Sequence, residues 1–208
     1  MAKKESSFFQ LVFSLTLISL FAASALAAVY SVTKGPIEQS IVEKKSNAIQ
    51  LVLPGFDSQK GSIKTQKVLI DGESDSVTIY IAELDNKFYG AAVETFTNKA
   101  FSGRFDIMVG FDKEGIMLGS EVLKHNETPG LGDKISKTKS EFPNQFNGKN
   151  PSKMKLAVKK DGGDVDAITA ATISSRAFCD AVDRANKAYL IVKETISSNS
   201  IDSTSNNK

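Results

Sequence analysis

Hydrophobic and polar positions divide this chain into three regimes. From Phe8 to Tyr30 the residues run without a charge, behind a short start that carries Lys3 and Lys4. A helix of that length, rising about 1.5 Å per residue, crosses a hydrocarbon core of about 30 Å. The flanking lysines would stay in the cytoplasm, which places everything after Tyr30 outside. A cleaved signal peptide competes with this reading, because Ala23-Ser24-Ala25 and Ala25-Leu26-Ala27 both have the small residues of a cleavage site. The uncharged run exceeds the ~7 to 15 residues of an h-region, so a retained anchor is preferred, and both readings export the remainder.

The second regime starts with a sparse helix. Pro36 suits its first position and Pro54-Gly55 its end, with Ile37, Ile41, Ile49, Val52 and Leu53 as its apolar residues. From Ile63 to Phe111 the period falls to two and β-branched residues dominate. Strands are predicted at Lys67 to Ile70, Val77 to Leu84 and Phe88 to Phe96, the last two joined by Asp85-Asn86-Lys87. A further pair, Phe105 to Phe111 and Ile116 to Leu123, flanks the turn Asp112-Lys113-Glu114-Gly115.

In the third regime, loops lead to a helix. Phe142-Pro143-Asn144-Gln145-Phe146-Asn147-Gly148 reads as a loop, Met154 to Val158 as a short strand and Asp161-Gly162-Gly163-Asp164 as a turn. Ile173, Ala177, Ala181, Ala185, Ala188, Tyr189 and Val192 then recur three or four apart and share one helical face. Beyond Glu194 the chain is Ser, Asn, Thr and Asp, a polar tail expected to be disordered. The predicted fold class is α+β: an N-terminal transmembrane helix followed by one extracytoplasmic domain with an antiparallel sheet and packed helices. Its boundaries are 1–7 for the cytoplasmic start, 8–30 for the anchor, 31–62 for a helical connector, 63–194 for the domain and 195–208 for the tail.

Charge and composition narrow the chemistry. The 208 residues carry a net charge of +2, and removing Lys3, Lys4 and Glu5 leaves +1, which gives no electrostatic case for nucleic acid. Cys179 is the sole cysteine, so an intrachain disulfide and an all-cysteine iron–sulfur site are both excluded. Its place in the amphipathic helix suits a small buried residue. One histidine, His125, cannot form a histidine cluster for a metal, and with Glu127 beside it reads better as a residue that orients its loop or hydrogen-bonds near a bound ligand.

Two stretches carry chemistry. The first, Asp166-Ala167-Ile168-Thr169-Ala170-Ala171-Thr172-Ile173-Ser174-Ser175-Arg176, places Thr172 at or beside a helix start. There the first N–H groups lack intrahelical partners and the dipole favours an anion. Ser174 and Ser175 add hydroxyl donors, and Ala170 and Ala171 leave room for a ligand. The second, His125-Asn126-Glu127-Thr128-Pro129-Gly130-Leu131-Gly132-Asp133-Lys134-Ile135, follows a predicted strand. Pro129 fixes one torsion, Gly130 and Gly132 permit close approach, and Leu131 offers an apolar side chain to a ring face. Each stretch also has an ordinary explanation, as a capped helix and as a surface turn. Lys155, Lys159 and Lys160 read as a solvated basic face.

Asp166 to Ser175 resembles the flavinylation motif of FMN-binding domains, in which the final threonine of a Ser/Thr-Gly-Ala-Thr core carries FMN through a phosphoester bond. Ala170 stands where that motif usually has glycine. The Glu127-Thr-Pro-Gly-Leu-Gly132 loop closely resembles that of the G subunit of Rnf-type electron transport complexes and of the related C subunit of sodium-pumping NADH:quinone reductase. The similarity runs from about Phe101 to Tyr189.

The resemblance implies covalent FMN on Thr172. It implies a cofactor site that also includes Thr169, Ala171, Ser174, Ser175, Glu127, Thr128, Gly130, Leu131 and Gly132, and no catalytic or metal residue. It further implies a single-pass protein of the cell inner membrane with a periplasmic domain. The expected role is that of a redox subunit relaying electrons in an ion-translocating ferredoxin:NAD oxidoreductase, with the other subunits, the membrane and a flavin-attaching transferase as partners. The quinone-reductase C subunit and an exported binding module without flavin are the alternatives.

Overall fold

The computed structural model describes residues 8–57, 60–70, 72, 75–85 and 87–205, with side-chain surroundings defined through Ile196. The expected cytoplasmic start, 1–7, and Asn86 of the predicted turn lie outside the described residues. One helix, α1, occupies Phe8–Val52. Its apolar N-terminal part is exposed, and the helix is long and apolar enough to cross a membrane. Pro36 lies inside α1 instead of opening a second helix. Its ring fits helical φ, so the helix persists although Val32 O loses its usual N–H donor. Packing divides the chain after Lys44 into two units; the described residues of the first are helix, and the second begins at Lys45.

Five strands form the sheet of the second unit: β1 Gly61–Leu69, β2 Ser76–Leu84, β3 Lys87–Thr97, β4 Phe105–Asp112 and β5 Met117–Lys124. They lie antiparallel in sequence order, each joined to the next. The period-two pattern sorts their side chains onto two faces. Cross-strand rows such as Ile79, Val93 and Val109, or Ile81, Ala91 and Phe111, share one face. A long helix, α2 (Thr172–Ser205), covers it. Ala177, Ala181, Ala185 and Ala188 keep α2 close to the strands, while Phe178, Val182 and Tyr189 fill the space between. Phe105, Phe142 and Phe146 surround Phe178 at ring separations of 6.5, 5.3 and 5.1 Å. Tyr189 stacks on Phe111 at 4.8 Å and donates its hydroxyl to Asp112 O.

The opposite face holds Ala82, Ala92 and Met108 beneath Ala48, Ile49 and Val52 from the end of α1 and Leu53 just after it. Contact there is close enough to require glycine. A Cβ on Gly110 would lie 1.9 Å from Val52 O.

Three further sequence expectations change. β1 begins at Gly61, ahead of the predicted Lys67, and its first residues are mostly exposed on an edge strand, where no apolar alternation marks them. Met154 to Val158 forms no strand; short 3₁₀ turns at Pro151–Lys153 and Lys159–Asp161 bracket it, and only an isolated parallel bridge joins Val158 to Val165. Finally, α2 continues past Glu194 to Ser205, into the tail expected to lack structure.

Candidate functional site

Three segments converge at one end of the sheet. β5 ends at Lys124 and passes directly into the 125–135 loop, which closes in a 3₁₀ turn at Gly132–Ile135. His125 Nδ1 accepts the Glu127 N–H at 3.2 Å, so this histidine does orient the loop. The N–H groups of Leu131 and Asp133 both donate to Thr128 O, at 3.2 and 3.3 Å, and curl the Pro-Gly-Leu-Gly stretch over it.

The second segment is the approach to α2. Gln145 holds Asp166 through both backbone atoms: its Oε1 accepts Asp166 N–H at 2.8 Å and its Nε2 donates to Asp166 O at 3.2 Å. Ala170 then takes φ +62°, a left-handed conformation that glycine adopts at no steric cost, which gives a physical reason for the glycine of the related motif. The first bond of the helix ladder runs from Ser175 N–H to Ala171 O at 3.0 Å. It leaves the N–H groups of Thr172, Ile173 and Ser174 ahead of that ladder, the orphan donors of a helix start. Outside the cleft, Arg176 forms a two-point ion pair with Asp161, at 2.7 and 2.8 Å, that ties this first turn to the Gly162-Gly163 turn and holds the Asp161 carboxyl below its ordinary range.

The third segment is the turn between β3 and β4, where Ser102 N–H donates to Glu127 Oε1 at 2.8 Å. The other Glu127 oxygen accepts the Ser174 hydroxyl. Glu127 and Ser174 are 5% and 1% exposed, so one buried carboxylate links the β3–β4 turn, the 125–135 loop and the start of α2. Gly132 lies against this pair, and a Cβ on it would sit 2.2 Å from Glu127 Oε2 and 2.8 Å from Ser174 Oγ.

The segments enclose a cleft of about 320 Å³ lined by Phe101, Glu127, Thr128, Leu131, Gly132 and residues 170–174. Thus the two stretches singled out in the sequence face each other across one cavity, with the half-buried Thr172 at the helix start between them. Of the ten predicted site residues, Thr172, Ala171, Ser174, Glu127, Thr128, Leu131 and Gly132 line it.

Thr169, Ser175 and Gly130 do not. Thr169 is exposed toward a separate groove beside Phe142 and Gln145. Ser175 is fully buried and braces the helix start, accepting Ile168 N–H at 2.9 Å and donating to Ala171 O at 3.0 Å. Gly130 is exposed, with φ +77°, in the turn behind Leu131. Lys155, Lys159 and Lys160 stay outside the lining, and Lys159 pairs with Asp166 at 2.7 Å.

Two lining residues were not foreseen. Ile173 belongs by spacing to the buried face of α2, yet it is 45% exposed because its turn overhangs the cleft. Phe101 lies in a turn whose sequence shows no ligand signal, and it is 67% exposed.

The arrangement fits FMN by its chemistry. The helix N–H groups and the Thr172 hydroxyl suit a phosphate, and Phe101, Leu131 and Ile173 in the same lining suit a flat apolar ring. Among the described lining residues there is no lysine or arginine, and the one charged group is the carboxylate of Glu127.

Comparison with known proteins matches the part of the chain that contains these segments. Residues 101–187 match the FMN-binding domain family. Over 176 residues the chain is 39% identical to the G subunit of the ion-translocating oxidoreductase complex of Erwinia tasmaniensis, covering 80% of this chain and 84% of that one. The G subunit of the same complex from Escherichia coli K12 is 39% identical over 180 residues, covering 81% and 85%. That from Salmonella typhi is 36% identical over 177 residues, with the same coverage.

Proposed function

We propose a function from the premise that this chain belongs to the family of the G subunits of ion-translocating oxidoreductase complexes. It is a flavin-containing electron-transfer subunit, a redox component of a membrane translocase, with α1 as its anchor. We further propose that FMN is joined covalently to Thr172, that a dedicated transferase attaches it, and that Lys3 and Lys4 hold the N-terminus in the cytoplasm so that the flavin domain is periplasmic.

The observation that carries this reading is the meeting of the 125–135 loop and the Thr172 helix start on one cleft. When bound, FMN accepts electrons as a pair or singly and passes them on. This chain's residues hold and orient it. Thr172 Oγ1 would supply the ester oxygen, the orphan N–H groups of the first turn would donate to the phosphate oxygens, and Leu131 and Ile173 would offer apolar surface to the ring.

The electrostatics favour a covalent link over simple binding. A phosphate monoester carries a charge of about −1.5 to −2 near pH 7. Here it would meet a helix terminus, which contributes only about 0.3–1 kcal/mol at an exposed site, with no basic side chain in the lining and Glu127 beside it. Esterification removes the second ionisation and makes retention independent of that weak attraction. Tethering also keeps the ring at high effective concentration over its cleft.

Thr172→Val is nearly isosteric at a half-buried position and should fold as the wild type does. The expected result is loss of flavin fluorescence from the denatured chain on a gel, against a fluorescent wild-type band. Persistence of the fluorescent band in the variant would move the attachment elsewhere and overturn the assignment.

A further inference from the structure

We propose that Phe101 is the aromatic contact of the flavin ring system, and that Glu127 acts as the strut that sets its position. This rests on the reading of Thr172 as the FMN attachment point.

Phe101 is 67% exposed. Among the described residues of the unit beginning at Lys45, it is the exposed phenylalanine; Phe88 and Phe142 are half-buried, and Phe56, Phe96, Phe105, Phe111, Phe146 and Phe178 are buried. A phenyl ring left in water forgoes the burial that makes aromatic side chains useful, so this one is unexplained by the fold. It lines the cleft together with Leu131 and Ile173, which are 42% and 45% exposed and come from the other two segments. Three apolar side chains from three separate stretches, Ile173 from the first turn of α2 itself, therefore border one cleft and offer faces to a planar ring.

Nor does Phe101 sit on a loose tip. Ser102 N–H is held by Glu127 Oε1 at 2.8 Å, Gly103 N–H donates to Ala100 O at 3.3 Å, and Arg104 is paired with Asp106 at 2.7 Å. Because Glu127 also takes the Ser174 hydroxyl, the backbone beside Phe101 is fixed to the same turn that carries Thr172. Ring face and attachment point are thereby held in one geometry.

The chain suits an optical test. It contains no tryptophan, and none of its four tyrosines lines the cleft. The full-length protein is produced with its flavin as wild type, Phe101→Tyr, Phe101→Trp and Leu190→Trp, and loading of each is verified by intact mass. Leu190 is exposed on α2, about 27 Å from Thr172 along the helix at 1.5 Å per residue. A phenol or indole in stacking contact donates an electron to the excited flavin, and the electron then returns, so emission is lost without net chemistry.

Flavin emission should fall about tenfold or more in both Phe101 variants, as contact stacking requires, and stay at the wild-type level in Leu190→Trp. Loaded Phe101 variants that emit like the wild type would refute the ring contact while leaving Thr172 in place; the ring of Phe101 would then belong to a protein-docking surface. A wild-type chain without the added mass of FMN would refute the attachment itself, and this inference with it.

Discussion

Replacing Gly132 by alanine should couple directly to Glu127. The new Cβ would lie 2.2 Å from Glu127 Oε2, 2.8 Å from Ser174 Oγ and 3.0 Å from Glu127 Cβ. An ordinary carbon–oxygen contact needs about 1 Å more than the first of these. Since the clashing oxygen is the end of a side chain, the carboxylate can move, but only by giving up the Ser174 hydroxyl, the Ser102 N–H at 2.8 Å, or both. A hydrogen bond to a charged group contributes about 1.5–3 kcal/mol, and a buried group left without a partner costs about 1–3 kcal/mol. With partial relaxation, we expect a loss of about 2–4 kcal/mol, or about 4–16 °C in Tm at 2–4 °C per kcal/mol for a domain of this size. The assay is denaturant unfolding of the full-length chain in detergent, in a double-mutant cycle with Glu127→Ala. In the Glu127→Ala background the Cβ occupies the space the carboxylate vacates, so Gly132→Ala should cost less than about 1 kcal/mol there. Equal costs in the two backgrounds, or a loss below about 0.5 kcal/mol in the wild type, would refute the coupling.

Two further outcomes follow from single residues. Ala170→Gly should stabilise the domain by about 0.5–1 kcal/mol, because Ala170 holds φ +62° and glycine takes that conformation without Cβ strain; an unchanged or lowered urea midpoint would contradict this. Burial pushes the Cys179 thiol from 9.0 up to about 12, so the folded state keeps a proton that the unfolded chain loses. That contribution is complete below pH 9.0 and declines as the pH rises from there toward about 12. Cys179→Ala should flatten this alkaline decline in stability, and an identical pH profile in the variant would count against it.

Where one sheet face is buried, sequence alone located the strands, since burial of alternate residues is what the period-two pattern records. β2 through β5 are recognisable for this reason, and the exposed edge start of β1 is not. Pro36 read as a helix start because N-terminal positions tolerate proline best, yet a long helix also absorbs one missing bond. Met154 to Val158 shows how a short apolar run misleads: its side chains reach the core from irregular backbone. At the site, the residues that make the cleft chemically distinctive were legible, because Thr172, Glu127 and Leu131 sit in stretches with turn and helix-start signals. The supports were not. Gln145 reaches Asp166 across 21 positions and Ser102 reaches Glu127 across 25, partnerships that no local pattern records. Ser175 looked like a ligand donor, as any serine in a first helical turn does, until its two buried bonds to Ile168 and Ala171 accounted for it.

The most direct test of the covalent flavin is the mass of the chain purified from its native membrane, with peptide mapping across Asp166 to Arg176. The expected result is an added mass equal to FMN minus water, located on Thr172. An unmodified Thr172 peptide from fully exported native protein would contradict it.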